Sequence, residues 1–162
     1  MKSITILLEL LPRLPTHWYL YLWNLYPPFL GAGIRIRRIA PDFSSVETTL
    51  RLRWWNRNVF GTLFGGSLYA MCDPVHVVML IQLLGPRYVV RDRGAEIRFL
   101  KKGTNAARAF FQISPRAVAE IWNDASEVQE RQFQVNILNN EGEIIAQVVK
   151  TIHIRRKGTE IT

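Results

Sequence analysis

A single cysteine, Cys72, is the whole thiol content of this 162-residue chain. An internal disulfide is therefore excluded, and the composition fits a reducing, cytoplasmic setting. Histidine is nearly as scarce. His17, His76 and His153 lie far apart in sequence and no metal-ligand spacing occurs, so neither metal nor cofactor is expected. The greasiest stretch, residues 1–30, is broken by Pro12, Pro15, Pro27 and Pro28 and by Glu9, Arg13 and His17. Its apolar runs fall short of the roughly 20 residues that a membrane-spanning helix needs. It ends in no small-residue cleavage site, so a signal peptide is not expected. There is no internal repeat, no linker and no recognised nucleic-acid motif, and nucleic acid is not expected as a partner.

Negative charge is also in short supply. Thirteen Asp and Glu against 21 Lys and Arg leave a formal charge of +8, and the pI is near 10.1. That balance favours an anionic partner: nucleic acid, an anionic membrane, or a phosphorylated small molecule such as coenzyme A. An apolar fraction of 48% and a charged fraction of 21% describe an ordinary globular protein, long enough for one domain with a sizeable core.

The chain divides into an N-terminal helical extension at residues 1–30, a domain at 31–156 and a polar tail at 157–162. Thr16 can cap a helix from His17 to about Tyr26, which Pro27-Pro28 stops. The extension suits a helical layer packed on the domain or its dimer interface. Its Trp and Tyr also suit a membrane surface, although the segment itself lacks a basic face.

From Gly33 the apolar period changes to two. Ile34 and Ile36 alternate with arginines, Pro41-Asp42 turns, and Val46, Thr48, Leu50, Leu52 and Trp54 form one face of a second strand. A helix from Gly65 to about Leu84 is apolar nearly all round and should be central and buried, bent by Pro74 beside Asp73. Tyr88–Leu100 reads as a strand with a bulge at Arg91–Gly94, and Ala107–Ile113 as another. Ser114-Pro115 starts a short helix to about Trp122, and Val128–Leu138 with Glu143–Arg155 form a last hairpin. The fold class is α+β, an antiparallel sheet around one long helix.

The stretch Asn58-Val-Phe-Gly61-Thr-Leu-Phe64-Gly65-Gly66-Ser67-Leu-Tyr-Ala-Met-Cys72-Asp73 organises the rest. A helix beginning at Gly65 or Gly66 presents unpaired amides and the positive end of its dipole, which suit phosphate, carboxylate or the oxyanion of acyl transfer. The first carboxylate follows at Asp73, nearly two turns on and roughly 10 Å along the axis. Amides and carboxylate must each lie roughly 3 Å from one carbonyl. One helix cannot easily supply both, but two antiparallel copies can, with Gly66 of one facing Asp73 of the other. A homodimer is thus part of the reading, and a tetramer is left open.

The pattern Asn58-x-x-Gly61-x-x-Phe64-Gly65-Gly66-x6-Asp73 resembles the hot-dog-fold acyl-CoA thioesterases of the phenylacetyl-CoA thioesterase type. With Pro27-Pro28-Phe29-Leu30-Gly31-Ala32-Gly33-Ile34 upstream, it is similar to an uncharacterised branch of that superfamily, over about Tyr26 to Arg155. The resemblance implies a hot-dog domain, an acyl-CoA or acyl-carrier thioester as partner, and hydrolysis to a carboxylic acid and a free thiol. The better-known enzymes have histidine where this chain has Phe64, and phenylalanine cannot hydrogen-bond a thioester or a water.

The expected catalytic residues are Asp73 as base or nucleophile, the Gly65 and Gly66 amides as oxyanion donors, and Asn58 as the residue that orders the loop or the water. Phe64, Ser67, Gly61, Lys101 and Lys102 are the expected substrate contacts, the lysines gripping phosphates. An isolated Asp in an apolar helix can also be a cap for a second helical segment after Pro74. Cys72 and His76, four apart, invite a thiol–imidazole reading, but no triad is completed and core packing suits both better. On the same scaffold a non-catalytic acyl-ligand binding protein is the alternative, and residues 1–30 could then cover an acyl-chain pocket.

Overall fold

The computed structural model describes residues 16–157. The expectations for residues 1–15 and for the tail beyond Lys157 lie outside the described residues.

Two short helices open the described chain, α1 (Thr16–Leu25) and α2 (Pro27–Ala32). Pro27-Pro28 ends α1 as expected but also begins α2, where the missing amides would have had no partner anyway. Gly33 closes α2 with φ of 77°, a left-handed angle that glycine adopts freely. The helices are fastened to the sheet. Tyr19 is fully buried against Phe43, with its hydroxyl accepting a hydrogen bond from Gln82 at 2.8 Å. The Asn24 side chain brackets the Ile36 peptide, donating to its carbonyl at 3.0 Å and accepting from its amide at 2.9 Å.

Six strands follow in one antiparallel sheet: β1 (Ile34–Ile39), β2 (Ser45–Arg51), β3 (Tyr88–Phe99), β4 (Ala106–Gln112), β5 (Val128–Leu138) and β6 (Ile144–Arg156). Their spatial order is β1-β2-β4-β5-β6-β3. Asn24 therefore satisfies peptide groups on a strand that, among the described residues, lies at the sheet edge. The bulge expected in Arg91–Gly94 is present, as a register shift between Asp92 and Gly94. β2 ends earlier than its alternation suggests. Asn56 takes the backbone groups that a longer strand would pair, accepting from the Arg53 amide at 2.7 Å and donating to the Arg51 and Ala32 carbonyls at 2.8 and 3.0 Å. Leu52 and Trp54 accordingly lie outside the ladder, and Trp54 is exposed.

The central helix is two helices. α3 (Gly65–Ala70) and α4 (Val75–Leu84) are separated by a turn at Met71–Pro74. Pro74 has no amide to give to the Ala70 carbonyl, and the Asp73 amide takes that carbonyl instead, at 3.4 Å with tighter three-residue spacing. The expectation of one bent helix with Asp73 nearly two turns beyond Gly66 is thus corrected: Asp73 sits in the break between two helices. It does not cap α4 either, since the N-cap is Pro74 and no side chain caps there. The sheet wraps this broken helix, burying Met71, Cys72, Val75, Met79 and Leu80 against Phe111, Ile137, Val148 and Ile152 in one apolar core. α5 (Pro115–Asn123) starts as expected, with the Ser114 hydroxyl accepting from the Ala117 amide at 3.2 Å.

Candidate functional site

The loop ahead of α3 is built by Asn58. Its side-chain oxygen accepts from the Phe60 and Thr62 amides at 3.0 and 3.1 Å, and its amide group donates to the Thr62 hydroxyl at 2.9 Å. Gly61 supplies the left-handed turn residue, with φ of 75°. Asn58 is thus committed to ordering the loop, one of the two roles expected of it. The Leu63 amide donates to the Gly103 carbonyl at 2.8 Å, tying the loop to the segment that carries the two lysines.

These contacts bring Asn58, Gly65, Lys101 and Lys102 around one open cavity of about 380 Å³, walled by Leu63, Leu68, Phe99 and Leu100. Among the described residues neither the Gly65 nor the Gly66 amide has a backbone acceptor, as expected for the first amides of a helix. Both glycines let an aromatic ring come close to the start of α3. A side chain on Gly65 would meet the Phe99 ring, and one on Gly66 would collide with the Phe64 ring. Phe64 itself is 54% exposed. Lys101 is paired with Glu143 at 2.6 Å. Ser67 is buried in the first turn of α3 and does not line the cavity.

Asp73 does not line it either. It belongs to a charged cluster that the sequence reading missed. Asp73 Oδ1 accepts from the Tyr69 hydroxyl at 2.7 Å and from Lys150 Nζ at 2.9 Å. Lys150, on β6, has no solvent-exposed side-chain surface, and its Nζ also lies 2.9 Å from Asp92 Oδ1 on β3. The side chain of Asp73 remains 48% exposed. The signal for Lys150 was in the alternation of β6, where Val148, Ile152 and Ile154 point inward and lysine occupies the inward position between them.

The cluster sets its own ionisation. Burial raises the pKa of Asp73, but the hydrogen bonds from Lys150 and Tyr69 and the Lys150 charge outweigh it, leaving the carboxyl below the usual carboxylate range. Asp92 is shifted the other way, by burial and by the Asp73 charge, which Lys150 only partly offsets. Burial lowers Lys150, yet its two carboxylates more than compensate and hold it above the ordinary lysine value. Cys72 and His76 are core residues. Burial pushes the Cys72 thiol up to about 12 and the His76 imidazole down to about 4. His76 stacks on Phe133 and meets Phe111 edge-on, and its Nδ1 has no hydrogen-bond partner. A thiolate–imidazolium pair is disfavoured on both members.

An antiparallel sheet wrapped around a central helix is the hot-dog fold of thioesterase-like proteins, and solved structures share it. A protein of unknown function from Pseudomonas aeruginosa, described as a probable thioesterase, superposes with a TM-score of 0.80 at 16% identity, covering 89% of this chain and 97% of its own. A thioesterase from Haemophilus influenzae gives 0.64 at 15% identity, with 87% and 91% covered. A protein of unknown function from Chlorobaculum tepidum gives 0.68 at 15% identity, with 85% and 91% covered. At these identities the likeness is one of fold. The chain belongs to the family described as a domain of unknown function, DUF4442, whose pattern matches residues 19–154. Among curated proteins no sequence matches it.

Proposed function

We propose that the protein is an acyl-CoA thioesterase that acts as a homodimer. The observation that carries this reading is Asp73, a half-exposed carboxylate in a thioesterase-like fold, with Oδ1 held by Tyr69 and Lys150. Oδ2 is then the atom left for chemistry. The thioester carbonyl of the bound substrate rests at the Gly65 and Gly66 amides of one copy, and Asp73 of the other acts on its carbon. Either the carboxylate attacks directly or it takes a proton from a water that attacks. The amides stabilise the oxyanion as it forms. Collapse of that intermediate breaks the C–S bond, and the sulfur leaves as the thiol after gaining a proton. In the water route this releases the carboxylic acid at once; in direct attack it leaves an acyl anhydride on Asp73, which a water then hydrolyses to free the acid and restore the carboxylate. Lys101 and Lys102 at the cavity rim suit the phosphates of coenzyme A, and Leu63, Leu68 and Phe99 suit the start of an acyl chain. Asn58 holds the loop that presents the amides.

One observation favours a second reading, a binding protein without turnover. Phe64 lies over Gly66 where a polar side chain would be needed to bond the thioester or a water. Thiol release from a panel of acyl-CoAs, wild type beside Asp73→Ala and Asp73→Asn, separates the two. Turnover that falls by about a hundredfold or more in both variants, with folding intact, is the expected result. Saturable binding with no turnover in the wild type would establish the binding protein instead, and full turnover in both variants would remove Asp73 from the mechanism.

A further inference from the structure

A concentration of positive charge that shares no lining residue with the proposed active-site cavity lies on the outer face of β1, β2 and β4. Arg35 pairs across the strands with Thr49, and Thr49 pairs with Arg108, giving a row that crosses three strands. Arg37 Nε donates to the Thr49 hydroxyl at 3.1 Å, Arg51 follows Thr49 on the same face, and the Arg53 guanidinium lies 5.9 Å from the centre of the Trp55 ring. Two depressions of about 420 and 460 Å³ run together here, sharing Arg37, Thr49 and Arg51. Glu47 is the one carboxylate lining either, and among the described residues none of these five arginines is in an ion pair.

Beside this face lie α1 and α2. From Thr16 to Ala32 there is no Asp, Glu, Lys or Arg, and Trp18, Tyr21, Leu22, Leu25, Tyr26 and Leu30 are all exposed. Asn24 of α1 and Leu30 of α2 line the same depression as Arg35, Arg37, Arg51 and Arg53, so the apolar and basic surfaces meet. The helical segment alone lacks a basic face. The fold supplies one from the neighbouring strands.

We infer that this composite face docks the protein on a bilayer carrying anionic headgroups. Trp18, Tyr21, Leu22 and Leu25 enter the boundary between headgroups and acyl chains, where aromatic residues are favoured. Arg35, Arg37 and Arg51 meet the lipid phosphates, each adding to the attraction and each sensitive to salt. A nucleic acid would use the arginines but leave the row of exposed apolar side chains without purpose. A second copy packed symmetrically on the same face would cover the helices but set like-charged arginines against each other.

Sedimentation of the full-length protein with vesicles tests this without reference to turnover. Binding to vesicles of phosphatidylcholine and phosphatidylglycerol in equal parts is expected, released by added salt, with little binding to phosphatidylcholine alone. Arg35→Gln, Arg37→Gln and Arg51→Gln should each weaken partitioning about fivefold. Trp18→Ser with Leu25→Ser should abolish it, while thermal melting shows each variant folded. Absence of wild-type binding, equal binding to both vesicle types, or binding that survives both sets of substitutions would overturn the inference. So would a vesicle-blind protein whose dimer is lost in the Trp18→Ser, Leu25→Ser variant, or whose retention of RNA is lost with the arginines.

Discussion

Lys150 carries a positive charge to a position with no solvent exposure and finds two carboxylates there, each at 2.9 Å. Neither carboxylate is itself fully buried, so the arrangement joins an interior cation to anions that reach water. Asp73 has a depressed pKa in the fold. Its contribution to stability is therefore present above the ordinary carboxylate value of about 3.9 and is lost as the pH falls through the lower folded value. Its ionised form is fully available at neutral pH, and turnover should show no acid limb from this group above about pH 5. Lys150→Met should move that limb upward and cost on the order of 2 kcal/mol, less than for a wholly buried pair because the two carboxylates reach solvent. Lys150→Arg should restore much of both, as measured by a pH–rate profile and chemical denaturation. A limb that stays in place in Lys150→Met would mean that the lysine only fills space.

His76 gives a second pH effect at this scale. Its folded pKa is about 4 against about 6.5 for an unhindered imidazole. The fold therefore holds it neutral, and stability is full above pH 6.5 and falls as the pH drops towards 4. The loss is on the order of 3 kcal/mol across that window. The groups facing it are Phe111, Phe133 and the Lys150 charge. In His76→Leu this part of the pH dependence should flatten; an unchanged slope would place the effect elsewhere.

At the scale of elements, the break between α3 and α4 positions the carboxylate. Pro74→Ala restores the amide that could reach the Ala70 carbonyl, so the two helices should join. The expected outcome is more helix by circular dichroism and a lower turnover as Asp73 is drawn away from Lys150, the weakened ion pair offsetting the stability gained from the added helix. Asn58→Ala removes the acceptor shared by the Phe60 and Thr62 amides and should cost about 1–2 kcal/mol in denaturation. Much of this level was legible in the sequence. The strands, the bulge beside Gly94 and the Ser114-Pro115 helix start follow from period-two alternation and from residues that fix the backbone locally. Two features were not. Pro74 marked a bend and a possible second helical segment, but the apolar pattern runs on through Met71 and Cys72 and so hides the extent of the turn, and Leu52 and Trp54 continue an alternation that β2 does not. In the second case the deciding contact, Asn56 to the Ala32 carbonyl, spans 24 residues. Lys150 stood out only as a charge at an inward position; its partners Asp73 and Asp92 come from other elements and could be named only once the fold was known.

At the scale of the whole molecule, the amides and the carboxylate of one chain do not line a common cavity: Gly65 does, Asp73 does not. β3, which carries Asp92, is, among the described residues, an edge strand with one side of its ladder unpaired in the sheet. Both facts are accounted for if two copies share each active site. The most direct measurement is complementation between two inactive variants, Asp73→Asn and Gly66→Val, the second filling the space over the amides. Each parent should be inactive. Mixed in equal parts, unfolded and refolded together, they should regain roughly a quarter of the wild-type rate of thiol release, since half the dimers are mixed and each keeps one intact site of two. Mixed dimers that form and stay inactive would contradict a shared site, and with it the central claim that Asp73 of one copy acts on a thioester held by the other.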